Sequence, residues 1–178
     1  MTKLDLTLDP LQHITADAIG QPGQRVFYLQ GWREADPKPV AVIIEKFQLQ
    51  NLAVGIEEMV QELARQKPEL GVPPVNYDPD KMRIHPPVDP LFRGGEMGLG
   101  YEPERDCLVI EVHEIVLEGA DPEEAGILRI WCSRAQGRQL AAWAEVVINR
   151  GRPTCPQCGE PMEPEGHFCP KKNGHKKK

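Results

Sequence analysis

The rhythm of apolar and polar residues divides the chain into two similar passages. In the first, residues 12–19 alternate weakly and end at the turn cluster Gly20-Gln-Pro-Gly23. Arg25–Gln30 is rich in β-formers and predicts a strand. Val40–Lys46 predicts its neighbour across the turn region 36–39. From Gln48 the period changes: Leu49, Leu52, Ile56, Met59, Val60 and Leu63 recur at three- and four-residue spacing. That spacing predicts an amphipathic helix ending near Lys67-Pro68. In the second passage, strands are predicted at 91–101, 107–116 and 127–132. A helix follows from Ala135, with Leu140, Trp143, Ala144, Val147 and Ile148 on one face. It is expected to stop at Gly151, with Pro153 beyond.

Between the passages lie residues 68–91, with seven prolines and almost no periodicity. So long an irregular stretch is a linker or a loop kept for function. Shifted by 88 positions, Val40, Val42, Ile44, Gln48, Leu52 and Glu57 fall on Leu128, Ile130, Cys132, Gln136, Leu140 and Glu145. Three strands and one helix leave a sheet with one covered face, so a second such unit is needed to close the core. The expected fold is therefore α+β, with about six antiparallel strands arranged as two β-β-β-α units. They would form a sheet or partly closed barrel with two packed helices, over residues 1–152, with residues 153–178 as a separate zinc-knuckle tail.

Composition narrows the class. Of 178 residues, 18 are Pro and 16 are Gly, punctuation that suits strands and turns. Hydrophobic residues at 40% and charged residues at 27% describe a globular chain. The longest apolar runs, Val40–Ile44 and Leu140–Ala144, are far below the ~18–20 residues of a membrane span. The first ten residues carry no apolar core of a secretory signal, so a cytoplasmic protein with no membrane association is expected. Charge is uneven. Residues 153–178 hold five Lys and three Glu, a net of +2, and the rest of the chain carries a net of −8. An acidic body repels nucleic acid, leaving only the basic tail to seek phosphates.

The strongest chemical signal is Cys155-Pro-Gln-Cys158-Gly159, followed by His167, Cys169 and His175. Two-residue spacing places both sulfurs on one side of a tight turn. Gly159 permits a positive φ after the second ligand, and backbone N–H groups can then point at the thiolates. Structural zinc is four-coordinate, so Cys155, Cys158 and Cys169 need one histidine. His167 is favoured over His175, which sits in the basic tail. A redox C-x-x-C belongs at a helix N-terminus, and Gly159-Glu-Pro-Met-Glu-Pro-Glu-Gly166 cannot start a helix. With four protein ligands the zinc would be structural rather than catalytic. Cys107 and Cys132 lie in strand-like runs and read as small buried hydrophobes.

A weaker constellation is Arg83, His85, Asp89 and Arg93 beside Gly94-Gly95. Its cations, with Arg25 after the first turn cluster, could hold a phosphate or carboxylate. The alternative is an exposed loop whose charges pair locally. Glu111 and His113 are expected on the solvent side of a sheet. The chain has no Walker A loop, G-x-S-x-G, H-E-x-x-H or dinucleotide fingerprint.

Several blocks together carry a family resemblance. They are Gly20-Gln-Pro-Gly-Gln-Arg25-Val-Phe-Tyr-Leu-Gln30, Phe92-Arg93 with Leu99-Gly100-Tyr101, Gly151-Arg-Pro-x-Cys155-Pro-x-Cys158-Gly, and Pro164-Glu-Gly-His167-x-Cys169-Pro. The chain resembles a bacterial family, domain of unknown function 3090, best known in actinobacteria. The resemblance spans nearly the whole chain and implies no activity. It implies a recurrent Glu-Gly-His-x-Cys-Pro element, which supports His167, and genes beside a histidine-phosphatase-like and a lipid-kinase-like protein. Two functions are thus expected. One is a non-enzymatic zinc-binding adaptor whose tail docks a protein. The other is an enzyme or sensor holding a small anion at Arg25, His85 and Arg93.

Overall fold

A computed structural model of the chain describes residues 3–151, 155–160, 162 and 167–171. Strands β1 (Asp5–Leu8), β2 (Leu11–Ile19), β3 (Val26–Arg33) and β4 (Val40–Ile44) lead into helix α1 (Lys46–Gln66). Strands β5 (Pro90–Glu102), β6 (Cys107–Glu114) and β7 (Ile127–Ser133) lead into helix α2 (Arg134–Asn149). All seven strands belong to one sheet, in the order β1-β7-β6-β5-β4-β3-β2. None of the described helices is long and apolar enough to cross a membrane.

Two β-β-β-α units are present, and each is an antiparallel meander. The expectation of six antiparallel strands is corrected in two respects. There is a seventh strand, β1, and the sheet is mixed, because β4 pairs with β5 and β1 with β7 in parallel. The two parallel junctions arise differently. Between β4 and β5, α1 and its return segment carry the chain back, and such a crossover joins parallel neighbours. β1 meets β7 from the other end of the chain, with no single crossover between them. β1 has only four residues, too few for alternation to register. The sheet is not a closed barrel: β1 and β2 are its edges. They are nonetheless consecutive in the chain, with only Asp9 and Pro10 between them, so the sheet curls until its edges nearly meet.

The curl begins in β5, which changes partner along its length. Pro90–Arg93 pair with β4, and Gly94–Glu102 with β6, across a register shift after Gly94. A Cβ on Gly94 would stand 2.8 Å from Val112 Cγ1 and 3.2 Å from the Ile43 carbonyl oxygen. Only glycine lets three strands converge there. The Gly94-Gly95 pair therefore serves the sheet.

Alternate residues of each strand face the helices. Leu108, Ile110 and Val112 of β6 lie beside Cys132, Ile130 and Leu128 of β7, all essentially inaccessible. Leu49, Leu52, Ile56 and Val60 of α1 and Leu140, Trp143, Ala144 and Val147 of α2 close the core. The helices start by the same device. Ser133 Oγ accepts from Gln136 N (3.0 Å) while Gln136 Oε1 accepts from Ser133 N (2.9 Å). In α1, Gln48 Oε1 accepts from Glu45 N at 2.6 Å. Each glutamine's amide then donates to the strand beyond, Gln48 to Gly95 and Gln136 to Leu11. Gln48 and Gln136 are partners in the 88-residue shift, so the two units repeat down to their helix caps.

Residues 68–91 form a strap across α2 and the outer face of β2 and β3. Arg134 donates to the Leu70 and Gly71 carbonyls (3.0 and 2.9 Å), and Arg138 to that of Pro73. The Tyr77 ring meets Trp143 edge-on, and Met82 is buried. A buried polar row then receives the strap's backbone. Thr15 Oγ1 donates to the Met82 carbonyl, Asp17 Oδ2 accepts from Ile84 N, and the Gln30 amide spans both the N–H and the carbonyl of His85. Prolines bar the segment from a strand ladder, and side chains satisfy the backbone groups instead.

Candidate metal centre

Beyond α2, the residues Cys155–Glu160 form a tight turn closed by two backbone hydrogen bonds. Gly159 N donates to the Cys155 carbonyl and Cys155 N to that of Glu160, both at 2.8 Å. Closing the turn needs a residue with φ of 76° after the second cysteine, and Gly159 supplies it. Nothing lies within 4 Å of where its Cβ would stand, so the constraint is conformational and not one of space. Residues 159 and 160 are not helical, which removes the setting of a redox C-x-x-C pair.

The turn and residues 167–169 bring four donors together. Cys155 Sγ, Cys158 Sγ, Cys169 Sγ and one His167 ring nitrogen all lie within 4.8 Å of one another. Cys155 and Cys169 are buried, at 7% and 4% exposure. Their sulfurs stand 3.8 Å apart, and Cys158 Sγ is 3.2 Å from His167 Nε2. Bonds of about 2.3 Å to a tetrahedral ion would put two thiolates about 3.8 Å apart. A disulfide would need about 2.05 Å. The four residues can hold a metal ion. His175, the alternative fourth ligand, lies outside the described residues.

The local electrostatics favour a thiolate at Cys155. Backbone N–H groups of Cys158 and Gln157 point at Cys155 and bring its thiol down to about 7. At Cys158 the Glu160 N–H also favours the thiolate, but loss of water and the neighbouring Cys155 and Cys169 outweigh it and raise the pKa. Thiolates crowded this closely repel one another, and a cation among them would offset that repulsion. Gln157 and Glu160 act through their backbones, which residue type does not reveal; only the C-P-x-C-G spacing signals them.

The other cysteines behave differently. Cys132 is fully buried in β7, and burial pushes its thiol up to about 12. Cys107 is half-buried at the start of β6.

Arg25, His85 and Arg93 each have partners of their own. Arg25 donates to the Val147 and Ile148 carbonyls (2.8 and 3.3 Å) at the end of α2 and lies over the Phe27 ring. Loss of water there lowers its pKa. His85 belongs to the strap, with its ring against Trp32 and its Nε2 3.0 Å from the Lys81 carbonyl oxygen. Arg93 pairs with Glu45 at 2.5 Å. Among the described residues, no hydrogen bond, ion pair or ring contact joins any two of the three. Arg83 lies 3.8 Å from Asp80. Glu111 and His113 are on the solvent side of β6, 3.6 Å apart, and Arg129 bridges Glu111 to Asp5.

The buried polar row of Thr15, Asp17 and Gln30 had no distinct signal, because alternating polar residues ordinarily mean a solvated face. No curated protein and no solved structure matches the chain. A family model does, over residues 6–169, a span that takes in both repeats, the strap and all four candidate ligands. The chain belongs to that family, described as protein of unknown function (DUF3090).

Proposed function

We propose that the protein is a non-enzymatic zinc-binding adaptor. Cys155, Cys158, His167 and Cys169 hold one structural zinc ion, and the metal fixes the tail in the shape that docks a protein partner. The observation that carries this reading is the gathering of four N and S donors within 4.8 Å, two sulfurs 3.8 Å apart. Three soft thiolates and one imidazole in tetrahedral array select zinc among the common divalent ions. Four protein donors fill that coordination sphere, so the metal holds structure and leaves no position for a reacting water. Such thiolates persist where the surroundings are reducing, and this supports a cytoplasmic location.

The docking role follows from size. The tail carries few apolar residues, and a segment this small needs a metal to keep one conformation. A preorganised element loses less entropy when it binds. The test is cobalt(II) titration of the full-length chain, followed by its visible absorption. One equivalent should produce the intense bands of a tetrahedral thiolate site, and zinc should displace it. Cys158→Ser and Cys169→Ser should each weaken the metal at least about a hundredfold. A weak pale-pink octahedral spectrum at one equivalent would refute the site.

A further inference from the structure

The two β-β-β-α units also pack alike: each helix lies along the open edge of the other unit's first strand. α2 runs beside β2, where Gln136 donates to the Leu11 carbonyl, and α1 runs beside β5, where Gln48 donates to that of Gly95. β2 has β3 on one side and no described strand on the other. Past Arg93, β5 likewise has β6 on one side and no described strand on the other. In the α2 half a large ring fills the space between helix and strand edge. Trp143 is 1% exposed, and its Nε1 donates to the Ala16 carbonyl at 2.8 Å.

The 88-residue shift that aligns the two cap glutamines puts Gly55 at the place of Trp143. Gly55 lies inside α1 without a positive φ, and a Cβ on it would meet only the end of the Leu99 side chain, at 3.4 Å. Glycine inside a helix is destabilising relative to alanine, so neither conformation nor a crowded backbone accounts for it. What it leaves is room. A cavity of about 250 Å³ opens between α1 and β5, walled by Phe47, Asn51, Gly55, Met97, Gly98 and Leu99. We infer that this cavity binds a small planar heteroaromatic molecule with a ring N–H, of the indole class. Its ring takes the place in the α1 half that Trp143 fills in the α2 half. The volume lies below the ~300–1,000 Å³ of pockets for drug-sized ligands, so it suits one ring system. Gly55 and Gly98 let a flat ring approach both backbones, and Met97 and Leu99 offer it apolar contact. Phe47, 61% exposed, can stack against the ring as it enters. Carbonyls alternate between the two edges of a strand, so at least one from Met97–Leu99 faces the groove and can accept the ring N–H. The Tyr77 ring of the strap lies against Trp143, whereas the cavity is lined from α1 and β5 alone. The site is separate from the tail and does not depend on the metal.

The test is a heteronuclear NMR titration of the full-length protein with indole. Saturable shifts are expected at the amides of Gly55, Gly95, Gly98 and Leu99, with the Trp143 side-chain signal unmoved. Benzofuran has the same shape with oxygen in place of N–H. It should bind at least about tenfold more weakly, because the edge carbonyl then stays unpaired. Phe47→Ala, a change at an exposed side chain, should weaken indole at least about threefold. Gly55→Trp should fill the cavity with the chain's own ring, abolish indole binding and raise the melting temperature. Gly55→Leu blocks the same space with a smaller side chain, should the larger one prevent folding. The absence of a saturable shift at the groove up to about 10 mM indole overturns the site. Binding that survives a folded Gly55 variant, or that ignores Phe47→Ala, also overturns it. Equal affinity for benzofuran overturns the ring N–H, and with it the likeness to Trp143.

Discussion

On the proposed metal reading, the body and the tail of this protein are held together by different physics. In the body, some two dozen buried apolar side chains from seven strands and two helices share one core, and no element is complete without the others. In the tail, the buried residues among those described are Cys155 and Cys169, whose donor atoms face each other. Apolar burial contributes about 25 cal/mol per Å² and grows with the number of elements. A metal site concentrates its contribution in four bonds. The body should therefore fail as a whole and the tail by itself.

That contrast can be broken most severely by cutting inside the body. A fragment ending at Gln66 loses β5–β7 and α2, so β4 loses its parallel partner and β1 its only one. It should not fold, whereas a chain ending at Gly151 should melt cooperatively near the temperature of the full protein. A cooperative transition in the 1–66 fragment, by circular dichroism, would mean that the repeats are separate domains.

Next in size is a single buried cation. Arg134, 8% exposed, pairs with Asp106 and donates to two strap carbonyls. Arg134→Ala removes these bonds and should cost about 1–3 kcal/mol of body stability in urea unfolding, since Asp106 and Gly71 stay open to water. The metal content of the tail should not change. Loss of zinc in this variant would show that the two regions are coupled.

On the tail, His167→Ala should lower metal affinity at least about tenfold, and His175→Ala should leave it unchanged; competition with a chelator measures both. The reverse ranking would assign the fourth ligand to His175.

The smallest effect concerns pH. Burial, and then the nearby His85, lower the His13 pKa from its usual ~6.5. Its Nε2 is buried without a partner. The native state therefore binds this proton less readily than the unfolded chain does. The neutral ring's contribution is complete above ~6.5 and is lost as pH falls toward the lowered native value. The protection factors against hydrogen exchange at Met82–His85 should fall below pH ~6, and His13→Phe should remove that step. An unchanged acid dependence in the variant would place the titrating group elsewhere.

Where apolar side chains set the structure, the sequence was readable. The periods at 49–63 and 140–148 located both helices within two residues, and the 88-residue shift aligned the two cap glutamines. Alternation says which residues face the core, but nothing about which strand lies alongside. The β4–β5 junction follows from where the crossover returns, and the β1–β7 pair from how the whole sheet curls, and no local pattern records either. The strap escaped for a related reason. Its backbone is satisfied by Thr15, Asp17 and Gln30 from far away in sequence, and prolines erase any periodicity of its own. Arg25, His85 and Arg93 looked alike as free cations, yet a helix end, an aromatic cluster and Glu45 engage them one by one. The candidate metal centre was legible because ligand chemistry is written in residue type and spacing, which the fold does not have to reveal.

Native mass spectrometry of the full-length protein, purified without chelator under reducing conditions, tests the central claim most directly. The intact chain should carry the mass of one zinc ion less two protons displaced from thiols, or three if all are displaced. That mass should be absent from Cys155→Ser, Cys158→Ser and Cys169→Ser. A chain with no metal, or one lighter by two hydrogens from a disulfide among these cysteines, would contradict it.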